Sequence, residues 1–163
     1  MTNLKDLNVN VFKLFAEEWG LVTAGNQGHY NTMTIGWGTL GTIWKKDVAT
    51  VYVKPCRYTY EFMEENDYFT ISFFDKAHRK DLALLGAKSG RDGDKVAETT
   101  LTPVAMAHDT VGFEEATLTI ICKKIYSEAF KEALLPADVV PQFYAEEAPH
   151  QCYIGEVVEI IEK

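Results

Sequence analysis

The chain has 163 residues, 47% hydrophobic and 25% charged, with a formal net charge of −8. That size suits one domain, residues 1–163, with a sizeable core, and such fractions are ordinary for a globular protein. The acidic balance, offset by no basic stripe, argues against nucleic acid or an anionic membrane as partner, and no apolar run nears the roughly 20 residues of a membrane helix. Lys5, Asp6 and Lys13 interrupt any leader-like hydrophobic run in the first fifteen residues. Cys56, Cys122 and Cys152 lie far apart and form no C-x-x-C. The expectation is a cytoplasmic protein with reduced cysteines, small buried side chains rather than a disulfide or zinc framework.

In chain order, residues 8–18 predict a short amphipathic helix, capped by Asn8 or Asn10, with Val11, Leu14 and Phe15 at helical spacing. GLVTAG then predicts a strand, Asn26-Gln27-Gly28 a turn, and residues 30–37 the antiparallel return. Residues 38–41 are read as a second turn, followed by the strand VATVYV and, after Pro55, a helix over 57–65. DYFTISFF at 67–74 is a further strand. Residues 78–85 predict a helix, AKSGRDGDK a polar loop, and 94–98 one more helical turn. Residues 101–116 mix extended chain and loop. A long strand at 116–130, bent where Lys123-Lys124 breaks its alternation, precedes a proline-containing loop at 135–149 with a short helix over 138–143. CYIGEVVEII closes the chain as a strand. The two early connections are too short for parallel crossovers, which need a dozen or more residues. The expected architecture is mainly β with short α-helices, an antiparallel barrel, closed or partly closed, with helices over its ends.

Several literal motifs carry no chemistry. Gly36-Trp37-Gly38-Thr39-Leu40-Gly41 spells G-x-G-x-x-G, but strand-like sequence follows where a dinucleotide site needs a helix N-terminus. Gly86-Ala87-Lys88-Ser89 lacks the glycine spacing of a phosphate-binding loop. His29, His78, His108 and His150 show no metal spacing, and no serine sits in a G-x-S-x-G elbow.

What remains is an ordered set. Asn31-Thr32-Met33-Thr34 leads to Trp37; Pro55, Arg57 and Thr59 form P-x-R-x-T; Lys88, Ser89 and Arg91 lie in KSGRD; His150 precedes the last strand. Amides, hydroxyls and guanidinium groups at strand ends, beside a Trp and a Met, suit a flat aromatic ligand that carries a phosphate. In this order the motifs resemble the flavin reductase-like, FMN-binding split β-barrel family, over nearly the whole chain.

The resemblance implies FMN as cofactor, with FAD possible, and NAD(P)H as co-substrate. It also implies a homodimer and electron delivery to free flavin, ferric iron or a partner protein. Asn31, Thr32 and Thr34, with nearby backbone amides, are then the partners of the flavin edge. Met33 and Trp37 offer the ring polarizable surface. Arg57, Thr59, Lys88, Ser89 and Arg91 would hold the phosphate. Ser72 occupies a position where the family often carries a polar residue facing the flavin. His150 corresponds to a histidine beside the nicotinamide, but Ala148-Pro149 replaces the family's Gly-Asp, so the usual carboxylate is absent unless Glu146 or Glu147 folds back. Two other readings compete: a non-catalytic FMN-holding electron carrier or sensor, and a flavin-less relative that binds another planar ligand.

Overall fold

The computed structural model describes residues 3–163. Its frame is a seven-stranded, wholly antiparallel sheet in the order β2-β1-β5-β8-β9-β4-β3. The strands are β1 (Gly20–Asn26), β2 (His29–Ile35), β3 (Gly38–Ile43), β4 (Lys46–Val53), β5 (Tyr68–Phe73), β8 (Leu118–Ala129) and β9 (Gln151–Glu162). Residues 101–116 resolve into a separate hairpin, β6 (Pro103–Met106) with β7 (Thr110–Phe113). The helices are α1 (Val11–Lys13, continued by a π-helical turn over Leu14–Glu18), α2 (Tyr58–Glu65), α3 (Arg79–Ala87) and α4 (Val139–Phe143).

Connectivity forces the sheet to curl. β2 and β3 are its two edges, yet only residues 36–37 join them. Three Cα steps span at most about 11 Å, whereas the edges of a flat seven-stranded sheet stand roughly 29 Å apart. The sheet therefore wraps until its edges approach without pairing, the split barrel that the sequence predicts. Phe15 closes the inside of the split, and its ring lies so near Gly38 that a Cβ there would sit 2.3 Å from it.

Alternation sorts the side chains to two cores. Val22 and Ala24, with Phe69, Ile71 and Phe73, face the barrel interior beside Phe62 and Met63 of α2. Leu21 and Phe74 face outward, under Leu82 and Leu85 of α3 and Phe113 of β7. β8 and β9 run twelve residues each and break register between Ile121 and Cys122 and between Lys124 and Tyr126, the bend expected at Lys123-Lys124.

Two expectations need correction. Residues 38–41 are not a turn but the start of β3, and the turn is Trp44-Lys45, whose φ values of 52° and 59° are those of a tight hairpin. The glycines mislead because Gly38 is small for Phe15's sake, while the actual turn lacks Gly or Asn. Of the cysteines only Cys122 is a buried side chain; Cys56 is exposed and Cys152 half-buried, all three with free thiols.

Candidate functional site

β2 is an edge strand, so alternate N–H and C=O groups along its outer side have no strand partner. Facing that edge are the N-terminus of α2, the C-terminal turn of α3, and the loop 88–95. Together they enclose a cleft of about 130 Å³, which collects Asn31, Met33, Thr34, Arg57, Thr59, Lys88 and Ser89, seven of the eleven predicted cofactor contacts.

Each wall is fixed by its own chemistry. Thr59, in the first turn of α2, is 1% exposed and accepts a 2.8 Å hydrogen bond from the Asn31 amide nitrogen. That bond turns the Asn31 carbonyl oxygen against Gly90, where a Cβ would come within 2.0 Å of it. The Thr34 hydroxyl donates to the carbonyl of Leu82 and pins α3 to β2. Ser89 caps the short turn Gly90–Asp92 by accepting from the Arg91 amide. Arg57 is the N-cap residue of α2, and its side chain does not cap the helix.

The cations are not equivalent. Lys88 pairs with Glu98 at 2.6 Å, Lys54 with Glu147 at 2.6 Å and Arg91 with Glu61 at 2.9 Å, whereas no carboxylate pairs Arg57 among the described residues. Arg57 thus presents an open guanidinium fork beside the free N–H groups of a helix start, an arrangement for an anion.

A further cation escaped sequence reasoning. Lys95 is 5% exposed, and its ammonium donates to the carbonyls of Leu85 (2.8 Å) and Lys88 (3.0 Å) while lining the cleft. It closes the C-terminal end of α3, where a positive charge is favoured. Burial, and then the neighbouring Arg57, push its pKa down to about 8. In the sequence it looks like one more charge in a solvated loop.

Four predicted contacts lie elsewhere. The Thr32 side chain points to the other face of β2, bonded to Thr23 and the Val22 carbonyl, so only its backbone is at the edge. Ser72 is fully buried between sheet neighbours, 3.4 Å from Thr119. The Arg91 guanidinium is used by Glu61 and by the Cys56 carbonyl at 3.0 Å, so it braces the loop. Trp37 stands outside the cleft, 52% exposed, its ring 5.4 Å from both Phe143 and His150.

His150 and Trp37 therefore belong to a second cluster, which adjoins the first through the segment Lys54 to Arg57. The imidazole Nδ1 is 2.7 Å from the Tyr144 hydroxyl. Partial burial, with Lys54 and Arg57 nearby, drives its pKa down to about 4, so the ring is neutral at physiological pH. Glu147 does fold back, but onto Lys54, so no carboxylate bonds the imidazole. Trp37 also borders an apolar hollow of about 550 Å³, with Phe12, Phe15 and Tyr52 among its walls. Among the described residues no group of three or more His, Cys, Asp and Glu side chains is placed to hold a metal ion. No described helix is long and apolar enough to cross a membrane.

The donor set fits a flavin phosphate: one open guanidinium, a buried ammonium, two hydroxyls and a helix start on one side, with Met33 and a strand edge on the other. Comparison with known proteins agrees with the architecture. The family model described as "Flavin reductase like domain" matches residues 12–163. An FMN-binding protein from Thermus thermophilus superposes with a TM-score of 0.72 at 17% identity, covering 99% of this chain and 79% of that one. Flavoredoxins from Methanosarcina acetivorans (TM-score 0.73, 99% and 76% covered) and Desulfovibrio vulgaris (0.70, 100% and 76%) are each 21% identical. At these identities the structures establish a common fold. No functionally curated protein matches the chain.

Proposed function

This chain belongs to the flavin reductase-like family, and on that premise we propose that it is an FMN-dependent oxidoreductase, carrying electrons from NAD(P)H to free flavin, ferric iron or a partner protein. One observation carries the reading: Asn31, Met33, Thr34, Arg57, Thr59, Lys88 and Ser89, scattered over nearly sixty positions, converge on one cleft in which Arg57 has no carboxylate partner among the described residues. The FMN-binding and flavoredoxin relatives lend it support. Bound flavin supplies the redox chemistry; the protein supplies binding, orientation and electrostatics.

The residues divide that work. Arg57 gives a bidentate contact to phosphate, helped by Lys88, Lys95 and the hydroxyl groups of Thr59 and Ser89. Asn31, held rigid by Thr59, offers its carbonyl oxygen beside the unpaired backbone of β2. Met33 gives the ring an apolar contact. His150, neutral and oriented by Tyr144, stands at the far end with Trp37, where the nicotinamide would approach. The protein acts as a homodimer, since Phe12 (87% exposed), Trp37 and Phe143 leave that end bare of cover. Light scattering that finds a monomer at micromolar concentration with flavin bound contradicts this part.

A specific observation favours a second reading, the FMN-holding carrier. With Glu147 on Lys54, the imidazole lacks the carboxylate that would make it cationic and fix it for a nicotinamide. An absorbance spectrum taken before and after anaerobic addition of NADH decides. A yellow protein that bleaches is a reductase, and one that stays yellow is a carrier. A colourless protein that takes up no FMN is neither.

A further inference from the structure

The loop 88–95 is the least packed wall of the cleft. No residue from Ala87 to Asp94 is buried, and besides the cleft two further hollows, of about 270 and 340 Å³, border the loop. Its neck, by contrast, is closed by charge. The buried Lys95 ammonium, at one end, holds the carbonyls of Leu85 and Lys88 at the other, and Lys88 pairs with Glu98. A surface loop with its ends joined and few buried apolar contacts opens locally at low cost.

The tip of the loop is a single piece. Ser89 caps the turn Gly90–Asp92, and the Asp92 amide donates to the Ser89 carbonyl at 3.1 Å. Gly93 follows with a φ of 143°, and a Cβ there would meet nothing, so backbone freedom rather than space calls for glycine. It stands between the tip and the Lys95 anchor. Arg91 ties the tip to the first turn of α2. Its guanidinium donates to Glu61 at 2.9 Å and to the Cys56 carbonyl at 3.0 Å, and lies 5.0 Å from the centre of the Tyr58 ring. The side chains of this ion pair are 44% and 51% exposed, so the tie is weak and screened by salt. Under the tip the cleft holds about 130 Å³, less than the roughly 300 Å³ at which small-molecule sites begin. Entry of a flavin therefore requires a wall to move, and this loop is the wall with least to lose.

We infer that loop 88–95 is a hinged flap over the cofactor cleft, latched by Arg91 on Glu61, and that this latch sets the rate of flavin exchange. The tip swings at Gly93 while Lys95 keeps the neck, and β2 and α2 stay in place. The latch contacts involve no flavin atom, so they favour the closed flap equally with the cleft empty or filled. They slow entry and exit by the same factor and leave affinity unchanged. The inference rests on the flavin reading above and deepens it: a strong latch makes FMN a resident group, and a weak one makes it an exchangeable substrate.

The test is stopped-flow flavin fluorescence on the full-length protein, in the parent and in Glu61→Gln and Arg91→Ala. Association is followed with flavin-free protein, and dissociation of the FMN complex with excess flavodoxin apoprotein as a trap. Glu61 does not line the cleft, so its variant alters the latch alone. The expected result is that Glu61→Gln raises both rates about twofold to fivefold, with Kd within about twofold of the parent. Arg91→Ala raises both further, because the carbonyl and ring contacts go as well, and riboflavin speeds up by the same factors as FMN. Unchanged rates in both variants overturn the flap. Faster dissociation alone, with Kd weakened to match, makes the pair a contact of the bound state. Slower dissociation in Glu61→Gln gives the freed guanidinium to the phosphate. Either result overturns the flap and leaves the flavin reading intact. If Arg91→Ala disorders the loop and loses FMN, Glu61→Gln decides by the same criterion. A parent that binds neither flavin overturns the flap together with the reading beneath it.

Discussion

At the Asn31 end of β2, polar groups have fixed protein partners: Asn31 on Thr59, Thr34 on the Leu82 carbonyl, Lys95 on two carbonyl groups. At the Trp37 end, a few residues along, aromatic rings stand half-bare, and the His150 imidazole, hydrogen-bonded to Tyr144, is neutral. The first region is pre-organised and loses little entropy when it meets an anion. The second leaves Trp37 52% and Phe143 39% exposed. Binding affinity should therefore depend on the first region and electron transfer on the second.

The largest separation comes from Arg57→Ala. A charge-assisted phosphate contact contributes roughly 1.5–3 kcal/mol, so FMN affinity should fall about tenfold to a hundredfold while riboflavin affinity hardly changes. Arg57→Lys should cost less, because charge survives and only the fork is lost. Parallel losses for both ligands, measured by titration, would place the arginine on the ring or the fold.

Gly90→Ala should come next. Its methyl meets the Asn31 carbonyl oxygen and must displace an amide held by Thr59. Losing one such hydrogen bond costs about 1 kcal/mol, or roughly fivefold in flavin affinity. FMN and riboflavin should suffer alike, in contrast with Arg57→Ala, and unchanged affinity for both removes Asn31 from the site.

A pH dependence sharpens the picture. Lys95 is charged below its depressed pKa of about 8 and loses its proton above it, so FMN affinity of the free protein should weaken as pH rises through 8. The group's effect on stability has the opposite trend. The unfolded chain keeps the proton up to about 10.5, so between these values the unfolded state holds more protons and stability gains with pH. Lys95→Met should flatten the affinity profile, and a step that persists in this variant belongs to another group.

The smallest effect on binding belongs to His150→Ala, which should leave FMN affinity unchanged and slow reduction by NADH, as stopped-flow absorbance would show. Equal rates in parent and variant would return His150 to a purely structural role with Tyr144.

The sequence made much of the cleft legible because its residue types are chemically pointed: an arginine after a strand-ending proline, hydroxyls beside glycine, an amide in an edge strand. Thr32 was recoverable as well, since alternation puts it opposite Asn31 and Met33, and Ser72 sits on a strand buried on both faces. Arg91 was not, because its partner Glu61 lies thirty positions away and only the fold brings them together. Lys95 was hidden for the same reason: a buried ammonium and a solvated one share a letter. The third strand was lost to its glycines: Gly38 is small for the packing of Phe15 rather than for a turn, and a Cβ at Gly41 would meet nothing.

The central claim is that the cationic cleft recognises a phosphate on a flavin. Calorimetric titration of the flavin-free protein with FMN and with riboflavin tests it most directly. The account predicts FMN binding at least about tenfold tighter, the yield of one good charge-assisted contact. Equal affinities would contradict it.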